Sequence, residues 1–98
     1  MKWGLYDTVD HCWLGRPEEA GPRLFDTDEK LNGIQLGEEG AEKIARVAAH
    51  IAAIRLGWDR RRIIAKVYDV PATKVKDELP LHDTTLNVLR KLERGTIV

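Results

Sequence analysis

Residues 40–57, GAEKIARVAAHIAAIRLG, are the stretch from which the rest of the chain is read. Ile44, Val47, Ile51, Ile54 and then Trp58 recur in steps of three and four, which predicts an amphipathic helix. At about 100° per residue, a second stripe of Ala41, Ala45, Ala48, Ala49, Ala52 and Leu56 lies beside the first. Glu39, Glu42, Lys43, Arg46 and His50 fill the remaining side. The apolar arc is about 220° wide, more than a surface helix needs, so this helix requires cover on two sides. The Ile stripe is expected to meet a sheet. The Ala stripe offers close approach to a second helix, supplied either by the C-terminal helix of the same chain or by a symmetry mate, so a homodimer through Ala41, Ala45, Ala48, Ala49 and Ala52 is expected.

The helix supplies its own limits. Glu38, Glu39 and Glu42 sit in or near the first turn, where the positive end of the helix dipole favours carboxylates. Arg55 suits the other end, and Gly57 is a C-terminal stop. Downstream, Arg61 to Val70 (RRIIAKVYDV) alternates Ile63, Ala65 and Val67 with Ile64, Lys66 and Tyr68. Its β-branched content and the short connection from the helix predict a strand rather than a second helix, closed by Pro71.

Upstream, Lys2–Asp7 and His11–Gly15 are short, alternating and aromatic-rich, and predict a β-hairpin around Asp7-Thr8-Val9-Asp10. Leu5 and Leu14 are the expected inward residues. Arg16–Pro22 reads as a loop and Arg23-Leu24-Phe25 as a brief third strand. For Asp26–Gly37 two readings stand: one helical turn capped by Asp26 or Thr27 and ended by Asn32-Gly33, or a surface loop. Pro71–Leu81 is expected to be extended, anchored by Val75 and Leu79. Thr84–Arg94 predicts a short helix with Leu86, Val88, Leu89 and Leu92 inward, and Thr96-Ile97-Val98 an apolar tail that adds to a sheet edge. The expected architecture is one α+β domain over residues 1–98. It has a small antiparallel sheet from the N-terminal hairpin plus a strand near 61–70, one long central helix packed on it, and a short C-terminal helix.

Composition narrows the function classes. A chain of 98 residues, 43% hydrophobic and 33% charged, is globular rather than disordered. One cysteine, Cys12, excludes an intrachain disulfide and suits a reducing, cytoplasmic setting. No apolar run approaches the roughly 18 residues of a membrane span. The net charge of zero hides an asymmetry: residues 1–42 carry four Lys/Arg against ten Asp/Glu, and residues 43–98 carry twelve against six. Either the two halves pack on each other with complementary fields, or the surface is bipolar and docks on a charged partner.

Catalytic and metal signatures are weak. Asp7, Asp10, His11 and Cys12 cluster in sequence without metal-ligand spacing, and neighbouring strand positions point to opposite faces. His11, Cys12 and His50 do not make a nucleophile–base pattern, and Cys12 reads as a small hydrophobe. No metal, no cofactor and no enzyme activity are expected. The densest basic run, Arg60-Arg61-Arg62 followed by Lys66, Lys74 and Lys76, is the leading contact candidate, for phosphates or for an acidic protein surface. Trp3 and Trp13 on the hairpin are the candidate aromatic anchors, with ordinary sheet packing as the other account. An alternative class rests on Lys74–Val98, which looks like the recognition half of a winged helix-turn-helix. Thr84, Thr85, Asn87, Arg90 and Lys91 would then read DNA. Lys76 and Pro80 occupy positions where that motif wants small residues or glycine, so nucleic acid ranks behind protein as a partner.

The hairpin with Asp7-Thr8 and Cys12-Trp13-Leu14-Gly15, the Gly21-Pro22…Phe25 step and the Arg55-Leu56-Gly57 helix end resemble a group of small bacteriophage and prophage proteins. Lys76-Asp77-Glu78-Leu79-Pro80 and the Leu92-Glu93-Arg94-Gly95 ending resemble that group's C-terminal half. Relative to that pattern, Glu29–Gly40 reads as an insertion. The resemblance implies a small α+β domain and a phage-type protein that binds a host or phage protein, for instance to inhibit host machinery.

Overall fold

The computed structural model describes residues 1–16, 21–69, 75–76 and 85–86. The architecture is α+β: a small, mainly antiparallel sheet with one long helix packed on it. The strand β1 (Lys2–Asp7) is central. Along one edge it pairs antiparallel with β2 (Cys12–Leu14), Tyr6 facing Trp13 and Asp7 facing Cys12, and with β3 (Leu24–Asp26), Trp3 facing Phe25. These two short strands share that edge in succession. The helix α1 (Gly37–Leu56) then crosses the sheet, and the strand β6 (Ile63–Val67) returns along the whole other edge of β1, Leu5 facing Ala65. Val75–Lys76 (β7) extends β2 in parallel. The expected hairpin, the strand at 61–70 and the inward Leu5 and Leu14, both fully buried, are all present.

Between β3 and α1 the chain forms neither a helical turn nor a plain loop. Lys30–Leu31 (β4) and Ile34–Gln35 (β5) make a miniature antiparallel hairpin. Its two-residue turn is Asn32-Gly33, with φ of 56° and 77°, the left-handed pair that a tight hairpin matched to strand twist requires. Arg23 anchors this excursion. Its guanidinium, almost fully buried, bonds both carboxylate oxygens of Glu29 at 2.6 and 3.2 Å and lies 4.2 Å over the Phe25 ring. Leu31 and Leu36 are thereby buried in the core.

The α1 helix ends as its sequence predicts. Gly57 is left-handed at φ 74°, its N–H donates to the Ile54 carbonyl, and the Trp58 N–H donates to the Ala53 carbonyl. Its rotation about its own axis is the reverse of expectation. The buried residues are Gly40, Ala41, Ile44, Ala45, Ala48, Ala49, Ala52 and Ala53. Val47 and Ile51 are half-buried flank residues, and Ile54 is 59% exposed. The Ala stripe therefore meets the sheet together with Ile44, and the rest of the Ile stripe turns away from it. The sheet supplies the bulk through Leu5, Leu14, Phe25 and Ile63, so small residues opposite them let the helix approach closely. This corrects the proposed dimer face: Ala41, Ala45, Ala48, Ala49 and Ala52 are covered within the chain and present nothing to a second copy.

The predicted helix Thr84–Arg94 and the tail 96–98 lie outside the described residues, except for Thr85 and Leu86. Those two have helical backbone, and Leu86 is buried in the same core. Among the described residues, no helix is long and apolar enough to cross a membrane.

Two substitutions separate the observed helix rotation from the expected one. Ala48→Leu forces a large side chain against the sheet and should cost about 1–3 kcal/mol. Ile54→Ser should change stability by less than about 0.5 kcal/mol. Urea denaturation midpoints read both, and the opposite ranking would place the Ile stripe on the sheet.

Candidate functional site

The basic triplet that follows α1 is divided by the turn that carries it. Asp59 starts that turn: its Oδ1 accepts the Arg61 N–H at 2.8 Å and its carbonyl accepts the Arg62 N–H at 2.9 Å. The bond from the Arg61 N–H, more than the neighbouring guanidinium charges, holds the Asp59 carboxyl below its usual pKa. Entry into β6 then turns Arg60 and Arg61 to solvent and Arg62 back toward β1.

Arg62 is a structural residue. Its Nε and Nη2 donate to the two oxygens of Asp7 at 2.9 and 3.0 Å, and Nη2 also reaches Asp10 at 3.3 Å. The Asp7 hydrogen bonds hold the guanidinium above its ordinary pKa. The Trp58 ring lies 3.6 Å beneath its central carbon. Asp7, with no exposed surface, also accepts the Val9 N–H at 2.9 Å and so shapes the hairpin turn. Two halves of opposite net charge thus meet in a fork between residues 55 positions apart. Asp7 and Cys12, cross-strand neighbours imagined as metal ligands, are accounted for by this ion pair and by burial of the thiol.

Arg60 and Arg61 stand instead on an open groove of about 430 Å³ between α1 and β6. Arg46, Ala49 and His50 line it from the helix, and Ile63, Ile64 and Ala65 from the strand. Arg46 bonds Glu42 at 2.6 Å one helical turn away, and Arg61 lies 3.5 Å from Asp59. Both pairs are exposed and contribute little to the fold, so either arginine can exchange partners cheaply. Three arginines and one histidine around an apolar floor make a surface suited to an anionic ligand. Arg60 and Arg61 were legible from sequence as a basic run. Arg46 and His50 were not, because nothing local says which helix flank β6 will approach.

The two hairpin tryptophans are packing residues. Trp3 is half-buried against the helix-side core. Trp13 lies on the other face of the sheet, over Gly4, where an added Cβ would come within 2.7 Å of its ring. It makes edge-on contacts with Tyr6 at 5.3 Å and Tyr68 at 4.9 Å, and the Lys66 ammonium sits 4.4 Å from the Tyr6 ring. Neither tryptophan is the exposed anchor considered from sequence. Comparison with protein-family models, curated proteins and solved structures found no match to this chain.

Unequal roles within the triplet give a direct measurement. Asp7→Ala leaves a guanidinium without its main counter-charge and the Val9 N–H without its carboxylate acceptor, and should clearly lower the unfolding midpoint. Arg62→Ala should lower the unfolding midpoint as well, and the double variant should lose less than the two singles combined. Arg61→Ala should leave the midpoint nearly unchanged. Equal effects at Arg61 and Arg62 in thermal unfolding would refute this division.

Proposed function

We propose that this chain is a small, non-enzymatic protein-binding module that recognises an acidic surface or segment of a partner through the α1–β6 groove. The observation that carries the reading is the convergence of Arg46, His50, Arg60 and Arg61, from two elements, on one concavity floored by Ile63, Ile64 and Ala65. Cations on an open rim raise encounter rates with an acidic partner and select against basic ones, while the apolar floor supplies burial. Arg62, held against Asp7, turns the other two arginines outward at a fixed place, which a free basic loop does not achieve. The sequence resemblance adds the context in which we place it: a phage-type protein in the cytoplasm, acting on a host or phage protein. This reading keeps Arg60 and Arg61 from the sequence-predicted contact set and replaces Arg62, Trp3 and Trp13 with Arg46 and His50.

Capture from host lysate tests it. Recovery of specific partners should fall at least ten-fold with Arg46→Ala/Arg60→Ala/Arg61→Ala, at an unchanged unfolding midpoint. Equal recovery would reduce the groove to a solvated surface. Duplex DNA serves as the competing polyanion: retention that depends on DNA and falls steeply with salt would favour the nucleic-acid class instead.

A further inference from the structure

The groove has a second property besides charge. Strand β6 pairs only with β1 among the described residues, so its other edge is open there. The register identifies which backbone groups that edge presents. The Thr8 N–H donates to the Arg62 carbonyl and the Tyr68 N–H to the Lys2 carbonyl, each at 2.9 Å. With Tyr6 opposite Ile64 and Gly4 opposite Lys66, the even-numbered residues of β6 bond to β1. Ile63, Ala65 and Val67 therefore direct their N–H and C=O groups away from the sheet. Their side chains face α1: Ile63 is buried and Ala65 packs against the core. Arg46 and His50 stand above this edge, and Arg60 and Arg61 stand at its start.

Resting on the partner-binding reading above, we infer that the partner contributes an extended acidic segment that adds to β6 as a further strand. Main-chain bonds to Ile63, Ala65 and Val67 provide the affinity, and side chains provide the selection. In such a pair, ligand residues opposite Ile63 and Ala65 send their side chains to the α1 face, where Arg46 and His50 receive carboxylates. The alternate ligand residues lie beside Ile64, which is 41% exposed, and favour apolar side chains. The preferred ligand thus alternates acidic and apolar residues. Cations along an open edge also oppose pairing with a second copy. The two-fold register centred on Ala65 would set Arg61 against Asp69, but it would bring Arg46 and His50 of both copies to one seam.

The probe is a blocked eight-residue peptide of alternating glutamate and valine, titrated into the full isotope-labelled chain at low salt. In the free chain, the amides of Ile64 and Lys66 should exchange slowly and those of Ile63, Ala65 and Val67 quickly. Saturating peptide should slow the latter three at least ten-fold. In antiparallel addition the glutamates opposite Ile63 and Ala65 turn their N–H groups to β6, so N-methylating them should weaken binding at least ten-fold and N-methylating the valines should not; the reverse pattern would mark a parallel strand. Peptides that all bind equally, without added protection, would overturn strand addition while leaving the cationic groove as the partner site. No peptide binding alongside arginine-dependent partner capture would do the same. If capture is also insensitive to the arginines, both readings fall. Slow exchange at Ile63, Ala65 and Val67 in the free chain would overturn the inference too: a monomeric mass by light scattering would assign the edge to the chain's own segment, and a dimeric mass to a second copy.

Discussion

The pairing of Asp7 with Arg62 is the constraint on which the rest of this structure depends. A carboxylate with no exposed surface must find a counter-charge and hydrogen-bond donors, and Arg62 meets both needs in one planar fork. The fork joins the end of β1 to the start of β6, the most extensive strand pairing in the sheet. Because the same Asp7 oxygen also accepts the Val9 N–H, the first hairpin turn and the helix-to-strand turn are tied to one group. Trp58 beneath the guanidinium shields it from water on one side and connects the pair to the end of α1.

The placement of the groove follows from that fork together with the Ala face of α1. Small side chains at Ala45, Ala48, Ala49 and Ala52 let the helix settle close to the sheet, with Leu5, Leu14 and Phe25 filling the space between. In this orientation Arg46 and His50 overhang β6, Ile54 beside them faces solvent, and Ile44 and Ile51 lie toward the other flank. A helix rotated to bury its Ile stripe would carry its cations elsewhere. The packing of alanines thus determines the electrostatics of a surface several ångströms away.

Asn32-Gly33 is the strongest short-range hairpin signal in the chain, but the strands it joins are only two residues long, too short to show alternation that would set a hairpin apart from a helical turn or a surface loop. The charge asymmetry between the halves was informative in its simpler sense: Arg62 of the basic half is bonded to Asp7 and Asp10 of the acidic half. What no local pattern could reveal is that three consecutive arginines have two roles. In a strand-entry turn, adjacent side chains diverge, and only the position of Asp7 says which of them turns inward.

By itself the sequence determined the periodicities, and with them the element types. It placed the helix and its Gly57 stop, a strand at 2–7 and another within 61–70, the α+β class, and Leu5 and Leu14 as core. These are local properties, written in spacings of two and of three to four and in the φ freedom of glycine. Tertiary structure alone decided which of two adjacent apolar stripes faces the sheet, which arginine turns inward to Asp7, and which helix flank meets β6. Each of these depends on groups far apart in the chain that compete for the same space or the same counter-charge. The sequence lists the contestants, and the winner is set only when close packing and the desolvation of Asp7 are satisfied together.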